Sequence, residues 1–375
     1  MKPQRGLYLH IPFCSIKCFY CDFTAFSGQK KTISRYLSAL DQEASFFPEF
    51  NPETLYIGGG TPSELSAEEL QTLFKIIHSR FPRADFKEAT FEANPESLDM
   101  DKIKILKESG VNRLSLGLQT LDDHLLKLIG RRHSSEDFFD VFSSVRKAGG
   151  FSISVDLMYG LPNQSLKTHL ETLKRVLDLS PEHISLYGLQ VEDWTLFSKR
   201  DVKVDENLAR EMFERSIEIL KEAGFIHYEI SNFARLGSES LHNKIYWRNG
   251  EYLGLGCGAA SYLNGTRSIN EDRLISYCVK VESGQIPLSS SEKLEGVASL
   301  GEKAFLGLRM IEGYVPSEES LRVFNSQWNS LMGRGLIERR ENVFRLTKEG
   351  VFVANQVFME FVPPFDRIQP SEALS

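Results

Sequence analysis

Three cysteines within eight positions are the residues of this sequence best suited to chemistry. Cys14, Cys18 and Cys21 are separated by three and then by two residues. Thiolates at this spacing can bind three irons of one [4Fe–4S] cluster and leave the fourth iron without a protein ligand. A zinc site completed by a remote ligand such as His10 is the alternative, but zinc ligands normally come as two pairs, and no second cysteine pair is present. The spacing therefore predicts a [4Fe–4S] cluster with one open iron.

An open iron of this kind can bind the amino and carboxylate groups of S-adenosylmethionine. An electron passed from the cluster to the sulfonium would then break a carbon–sulfur bond and release a 5′-deoxyadenosyl radical. The sequence thus predicts S-adenosylmethionine as a cofactor and an electron donor as a partner, and it indicates no catalytic side chain. Cys257 and Cys278 lie among small or apolar neighbours, as is typical of buried cysteines without a chemical role.

The amino-acid composition limits the kinds of binding partner and the cellular compartment that we expect for this protein. The 375 residues carry a net charge of −7, with 41% hydrophobic and 25% charged residues. An acidic chain is a poor match for nucleic acid, because phosphate binding needs a basic patch. No apolar stretch approaches the 18 or so residues of a membrane span, and the first residues do not resemble a signal peptide. We therefore expect a cytoplasmic protein that does not bind nucleic acid.

Strand-like runs alternate with helix-like runs up to about residue 190. The predicted strands are 7–11, 54–57, 89–93, 113–116, 152–157 and 184–187, and the predicted helices are 33–47, 67–80, 101–108, 135–148 and 167–179. This alternation predicts an α/β fold with a parallel sheet, either open and doubly wound or curved into a barrel.

Unusual residues cluster at the carboxyl ends of these predicted strands. The cysteines follow the first strand, a glycine run at 58–60 follows the second, and Glu92 lies within the third. Gln119 follows the fourth strand and Asp156 lies within the fifth. Since the carboxyl ends of parallel strands meet on one side of a sheet, the sequence predicts a single mouth that collects all of them.

The chain divides into three predicted segments. These are a barrel at 1–235, a connecting region with a glycine-rich stretch at 236–289, and a mostly helical segment at 290–375. Residues 331–338 and 343–347 together resemble a small winged-helix module. Residues 254–265 are too rich in glycine for a regular helix.

Six motifs together give a resemblance to a known family. They are YLHIPFC at 8–14, YIGGGTPS at 56–63, FEANP at 91–95, GVNRLSLGLQ at 110–119, IGRRH at 129–133 and DLMYGLP at 156–162. With these motifs the chain resembles the radical S-adenosylmethionine superfamily and, within it, the anaerobic coproporphyrinogen III oxidase-like family. The resemblance implies a partial (β/α)6 TIM-like barrel followed by a mostly helical, winged-helix-like C-terminal domain.

The resemblance also implies roles for individual residues. Gly59, Gly60 and Thr61 would receive the methionine amino group, although a glycine run can equally be an ordinary turn. Glu92, a carboxylate in an otherwise apolar strand, would bind the ribose hydroxyls unless it forms an internal ion pair. The other residues that the resemblance places around the cofactor are Tyr8, Tyr20, Gln119, Arg131 and Asp156. From the residues alone, Tyr8 could be core and Arg131 a solvated helix end.

Two functions of different classes fit this family: a heme chaperone and an oxygen-independent coproporphyrinogen III dehydrogenase. Asp22 and Phe23 follow Cys21 where the dehydrogenase has a fourth cysteine, and only 13 residues precede Cys14. The sequence at 242–247 matches an HNxxYW motif typical of the chaperone group. The resemblance is therefore closest to the chaperone, with heme as a ligand and His242 as a candidate heme contact, although a histidine beside aromatic residues can also be structural. We expect the heme to pass to an acceptor protein of the respiratory membrane, with transient membrane association.

Overall fold

The computed structural model describes residues 4–364, so the ends of the first and third predicted segments lie outside the described residues. In chain order, its strands are β1 (Arg5–Ile11), β2 (Phe13–Cys14), β3 (Phe26–Ser27), β4 (Thr54–Gly59), β5 (Glu88–Ala93), β6 (Arg113–Gln119), β7 (Ser152–Tyr159), β8 (His183–Gly188), β9 (Ile226–Glu229), β10 (Asn232–Ala234), β11 (Glu251–Leu255), β12 (Ala260–Leu263), β13 (Thr266–Asn270), β14 (Leu288–Lys293), β15 (Ile337–Arg340) and β16 (Val343–Leu346).

The helices lie between and after these strands. They are α1 (Ile33–Ala44), α2 (Ala67–Arg80), α3 (Met100–Glu108), α4 (Asp123–Leu128), α5 (Ser135–Ala148), α6 (Leu166–Asp178), α7 (Leu196–Lys199), α8 (Glu206–Glu222), α9 (Leu241–Trp247), α10 (Leu274–Glu282), α11 (Gly296–Gly307), α12 (Glu318–Val323), α13 (Asn325–Gly333), α14 (Lys348–Phe352) and α15 (Ala354–Phe358). None of these helices is both long enough and apolar enough to cross a lipid bilayer.

Six parallel strands form the centre of a twelve-stranded sheet, in the order β1, β4, β5, β6, β7 and β8. β11 extends the sheet in parallel beside β1, and β12 to β14 continue it antiparallel. On the other side, β10 and β9 complete it, also antiparallel. The predicted α/β fold with a partial (β/α)6 barrel is thereby confirmed.

Side-chain hydrogen bonds fix the residues at which helices α2 and α5 begin. Ser66 accepts a hydrogen bond from the backbone N–H of Glu69 at 3.3 Å, and the Glu69 carboxylate accepts the Ser66 N–H at 2.7 Å. This reciprocal pair satisfies two backbone donors at the start of α2. Ser134 and Asp137 form the same arrangement at the start of α5. Both helices therefore begin at the residues that the sequence pattern predicts.

Strand β6 lies at the centre of the barrel and is buried along its whole length. Its pairing with β7 shifts register between Gly117 and Gln119, and Gln119 has a φ of 69°. A bulge with a residue in the left-handed region redirects the side chains at a strand end. This local irregularity sets the direction in which Gln119 leaves the strand.

The C-terminal part has its own hydrophobic core, separate from that of the barrel. β15 and β16 form an antiparallel hairpin in which Ile337 pairs with Leu346. The Trp328 ring lies 4.8 Å from the Phe344 ring and 4.5 Å from the Phe361 ring, measured between centroids. Helices around a small hairpin are the winged-helix-like arrangement that the sequence predicts, while the three segment boundaries stay predictions.

Candidate functional site

One cavity of about 420 Å³ lies at the carboxyl ends of the parallel strands. Of the predicted site residues, those that line it are Cys14, Cys18, Tyr20, Cys21, Gly59, Gly60, Thr61, Glu92, Gln119, Arg131 and Asp156. The structure thus brings the cysteine loop, the glycine turn, Arg131 and the polar or charged residues of three strands to one mouth. Tyr8 and His242 lie elsewhere.

The three cysteines lie half-buried in the segment that follows β1, with Cys14 at the end of β2 and Cys18 and Cys21 on the loop between β2 and β3. The Cys14 sulfur lies 3.3 Å from the Thr61 hydroxyl, and the Phe19 N–H donates to the Ile129 carbonyl at 3.0 Å, which ties the loop to the barrel. Burial raises the pKa of the Cys14 thiol, and it raises that of the Cys21 thiol to about 11. Binding iron would therefore have to displace thiol protons.

The donor set of this loop fits a cluster, because thiolates are the ligands that iron–sulfur clusters use. Within residues 4–364, no group of three or more histidine, cysteine, aspartate and glutamate side chains is arranged to hold a single metal ion. All three cysteines line the cavity that the glycine turn also lines.

The glycine turn at the end of β4 requires residues without a Cβ. Gly59 has a φ of 115°, and a Cβ there would lie 2.6 Å from the His10 ring. A Cβ on Gly60 would lie 2.9 Å from the backbone of Phe13. Glycine is tolerated at such positions because it has no side chain to clash. The turn therefore holds its backbone directly against the cysteine loop.

Glu92 points from β5 into the cavity. Its Oε1 accepts a 2.6 Å hydrogen bond from the Tyr56 hydroxyl, and its Oε2 accepts the Gly59 N–H at 3.2 Å. These partners are a hydroxyl and an amide rather than a cation, so the contacts do not form the internal ion pair that the sequence left open. Burial raises the pKa of Glu92 to about 7, against the hydrogen bond from Tyr56, which lowers it. A ligand that donates hydrogen bonds would favour the ionised carboxylate.

Arg131 forms part of the cavity wall and is not a solvated helix end. Its Nη2 donates to the Asn94 side chain at 2.6 Å and to the Gly117 carbonyl at 2.5 Å, and its Nη1 faces the Cys18 sulfur at 3.8 Å. Its Nε is buried without a hydrogen-bond partner. A buried donor left unpaired is rare in native proteins, and it favours an acceptor supplied by a ligand.

Asp156 completes the charged lining from β7. The Ser115 hydroxyl lies 3.0 and 3.1 Å from its two oxygens, and burial raises the pKa of this carboxyl group. Tyr20 lies on the cysteine loop, where burial raises the pKa of its hydroxyl. Both residues line the cavity, as does Gln119. The lining thus combines hydrogen-bond donors and acceptors suited to a polar cofactor.

Tyr8 lies inside the barrel rather than in the cofactor cavity. Its hydroxyl lies 2.9 Å from Nδ1 of His10, whose Nε2 is 2.7 Å from the Thr24 carbonyl. Tyr8 lines two smaller hollows beside Tyr246 and Trp247. Its position is therefore one residue layer below the mouth, behind His10.

His242 is fully buried in α9, away from the mouth. Its Nδ1 lies 2.8 Å from the Thr54 hydroxyl and its Nε2 lies 2.7 Å from the Tyr246 hydroxyl. Burial lowers the pKa of this imidazole to about 3, so the ring is neutral. Because both ring nitrogens are already hydrogen-bonded, the geometry does not favour His242 as a heme ligand and favours a structural role instead.

The contacts between Glu88 and helix α9 were not predicted from the sequence. The Glu88 carboxylate accepts hydrogen bonds from the Ser240 hydroxyl at 3.1 Å and from the backbone N–H groups of Leu241 and His242, both at 2.9 Å. It thus fixes the first turn of α9 to the start of β5. In the sequence, this contact is indicated only by the charge of Glu88 at the start of an apolar strand.

Comparisons with known proteins place the chain in a family. Residues 8–176 match the Radical SAM superfamily. The heme chaperone HemW of Bacillus subtilis is 39% identical over 96% of this chain and 99% of its own length, and that of Lactococcus lactis is 35% identical over 96% and 98%. The coproporphyrinogen III oxidase HemN of Escherichia coli shares the fold, with a TM-score of 0.84 over 96% of this chain and 90% of its own, at 24% identity. Identity at this level over nearly the full length shows that the chain belongs to the HemW family of radical SAM proteins.

Proposed function

We propose that this protein is a heme chaperone of the radical SAM type, which binds a [4Fe–4S] cluster, S-adenosylmethionine and heme and transfers the heme to an acceptor protein. The observation that carries this proposal is the full-length similarity to proteins named heme chaperone HemW. The cavity that joins the cysteine loop to the glycine turn and Glu92 supports it independently.

The cluster is held by Cys14, Cys18 and Cys21, which line the cavity together. When bound, it supplies an open iron and an electron for S-adenosylmethionine. Gly59, Gly60 and Thr61 receive the methionine part of the cofactor, since the turn presents backbone groups without an intervening side chain. These assignments rest on the match to the family motifs and on the shared cavity.

The remaining lining residues orient the cofactor. Glu92 accepts hydrogen bonds from the ribose hydroxyls, and Tyr56 and Gly59 keep its carboxylate turned toward the cavity. Arg131 offers its unpaired Nε to an acceptor on the cofactor. Gln119, Asp156 and Tyr20 complete the polar wall, with Tyr8 one layer behind it. No catalytic side chain is assigned, and an electron donor is the expected partner of the cluster.

The dehydrogenase is the second candidate, and the shared fold with HemN favours it. Two sequence features favour the chaperone instead. Asp22 and Phe23 follow Cys21 in place of a fourth cysteine, and the HNxxYW motif occupies α9. The chaperone therefore stays the first proposal. We assign no heme ligand, because both nitrogens of His242 are already hydrogen-bonded.

The heme acceptor in this proposal is a protein of the respiratory membrane, reached by transient association from the cytoplasm. A direct test of the function compares two activities of the cluster-loaded protein: retention of heme through gel filtration, and conversion of coproporphyrinogen III to protoporphyrinogen IX. Heme retention without conversion supports the chaperone. Conversion at the rate of a true dehydrogenase would replace it with the second candidate.

A further inference from the structure

A second hollow, of about 310 Å³, lies between the barrel and the segment after α11. It is lined by Tyr56, Tyr187, Glu229, Asn232, Trp247 and Arg309. Tyr56 and Tyr187 also line the cofactor cavity, so the two spaces are neighbours. We call this space the Arg309 hollow. The proposed function assigns it no role.

Two hydrogen-bond donors in the Arg309 hollow lack acceptors. The Arg309 guanidinium carbon lies 4.2 Å from the centroid of the Trp247 ring, so the two side chains are in direct contact. Arg309 Nε and Trp247 Nε1 are both buried without a hydrogen-bond partner. Leaving buried donors unpaired is costly, and most native buried donors are paired. A hydrogen-bond acceptor for these two donors is missing here.

Two acceptors in the same hollow lack donors. Glu229 is 1% exposed and Asn232 is 3% exposed. The Asn232 amide nitrogen donates to Oε1 of Glu229, and the Ser231 N–H donates to the same oxygen at 3.2 Å. This leaves Oε2 of Glu229 and the amide oxygen of Asn232 buried without partners. A hydrogen-bond donor for these two acceptors is missing here.

The Arg309 hollow thus contains a buried guanidinium and a buried carboxylate, each with an unpaired atom. A ligand that carries both a hydrogen-bond acceptor and a hydrogen-bond donor would pair with both. We propose that the Arg309 hollow binds a small zwitterion of the α-amino acid class, with its carboxylate on Arg309 and Trp247 and its ammonium on Glu229 and Asn232. The Arg309 guanidinium and the Glu229 carboxylate attract one another, since each favours the charged form of the other in its pKa, but Oε2 of Glu229 and Nε of Arg309 still lack hydrogen-bond partners. A zwitterion would supply the acceptor and the donor together in one molecule. A hollow of this size holds a small amino acid and not a macrocycle.

The test is calorimetric titration of the holoprotein, with its cluster and saturating S-adenosylmethionine, so that the cofactor cavity is filled. The probes are glycine, L-methionine and L-phenylalanine, with acetate and methylamine as probes that carry one charge each. At least one amino acid should bind, and acetate and methylamine should bind at least tenfold more weakly. The same binding is expected of the cluster-free protein, since no cysteine lines the hollow, so this result stands apart from the heme-chaperone proposal.

Arg309→Gln and Glu229→Gln should each weaken amino-acid binding at least tenfold. Arg267→Gln is the matched control, because Arg267 lines a neighbouring hollow and already pairs with Glu302 at 2.7 Å, and it should leave binding unchanged. If Arg309→Gln fails to fold, Arg309→Lys keeps the charge and should retain part of the affinity. Absence of binding by all three amino acids, or acetate binding as tightly as they do, would overturn the proposal.

Discussion

The Tyr56 hydroxyl donates a 2.6 Å hydrogen bond to Glu92, and this contact joins neighbouring strands β4 and β5 at the mouth of the barrel. The other oxygen of the same carboxylate accepts the N–H of Gly59. One carboxylate therefore links the strand end, the glycine turn and the cavity. Because Glu92 lines the cavity, a change in its charge would alter its electrostatic interaction with any cofactor bound there.

The affinity for S-adenosylmethionine should depend on pH through Glu92. Burial raises the pKa of this carboxyl group to about 7, so below that pH it is protonated and cannot accept two ribose hydroxyl donors. Affinity should rise with pH through about 7, by up to about tenfold between pH 6 and 8, and level off above that range. Calorimetric titration of the cluster-loaded protein between pH 6 and 8 measures this.

Glu92→Gln should remove this pH dependence and weaken binding at pH 8 by about tenfold, because charge-assisted hydrogen bonds are worth about 1.5–3 kcal/mol. The matched control is Glu43→Gln. Glu43 is also buried with a pKa raised to about 7 by burial, but it bonds to Tyr277 and Asn270, away from the cavity. A pH dependence that survives in Glu92→Gln would show that another group titrates.

Cluster content should depend on the three loop cysteines alone. Serine at Cys14, Cys18 or Cys21 replaces a thiolate with a poor iron ligand, so anaerobic reconstitution should yield little iron per folded protein. Cys257→Ser and Cys278→Ser should retain the cluster, since both residues are fully buried in the hydrophobic core. Iron analysis and the absorption of the cluster provide the measurement. Normal iron content in the loop variants would exclude a cluster at this position.

Glu88→Ala should destabilise the fold through α9. The change removes three hydrogen bonds to the start of that helix and leaves two backbone donors buried, which should lower the free energy of unfolding by about 3 kcal/mol. Glu53→Ala is the control, because Glu53 pairs with exposed Lys87 and should contribute less than about 1 kcal/mol. Denaturant unfolding of the two variants measures the change that each causes in the free energy of unfolding. Equal effects would mean that Glu88 does not anchor α9.

His242→Ala should lower stability without changing the heme spectrum. Truncating a fully buried ring that bonds Thr54 and Tyr246 should cost about 2–4 kcal/mol. The position and width of the heme absorption bands should match those of the unaltered protein, because neither ring nitrogen is free for iron. A spectrum that shifts in His242→Ala while the fold is retained would instead make His242 the ligand.

Sequence reasoning predicted the barrel well, because its signals are local. The period of apolar residues gives α2 and α5 at their observed bounds, whereas Glu92 and Arg131 were placed at the site by the resemblance to a known family. It could not predict contacts between distant segments. The bonds of His242 to Thr54 and of Glu88 to α9 span more than 150 residues. Strands β11 to β14 were not predicted for a related reason, since these short runs of four to six residues acquire strand structure only by extending the sheet from β1.

Heme transfer is the measurement that tests the central claim most directly. Cluster-loaded protein is given one equivalent of heme, passed through gel filtration and mixed with an excess of a heme-free acceptor such as apomyoglobin, while absorption follows the heme. The proposal predicts that heme stays with the protein through filtration and then moves to the acceptor. Heme lost entirely during filtration, together with conversion of coproporphyrinogen III, would contradict it.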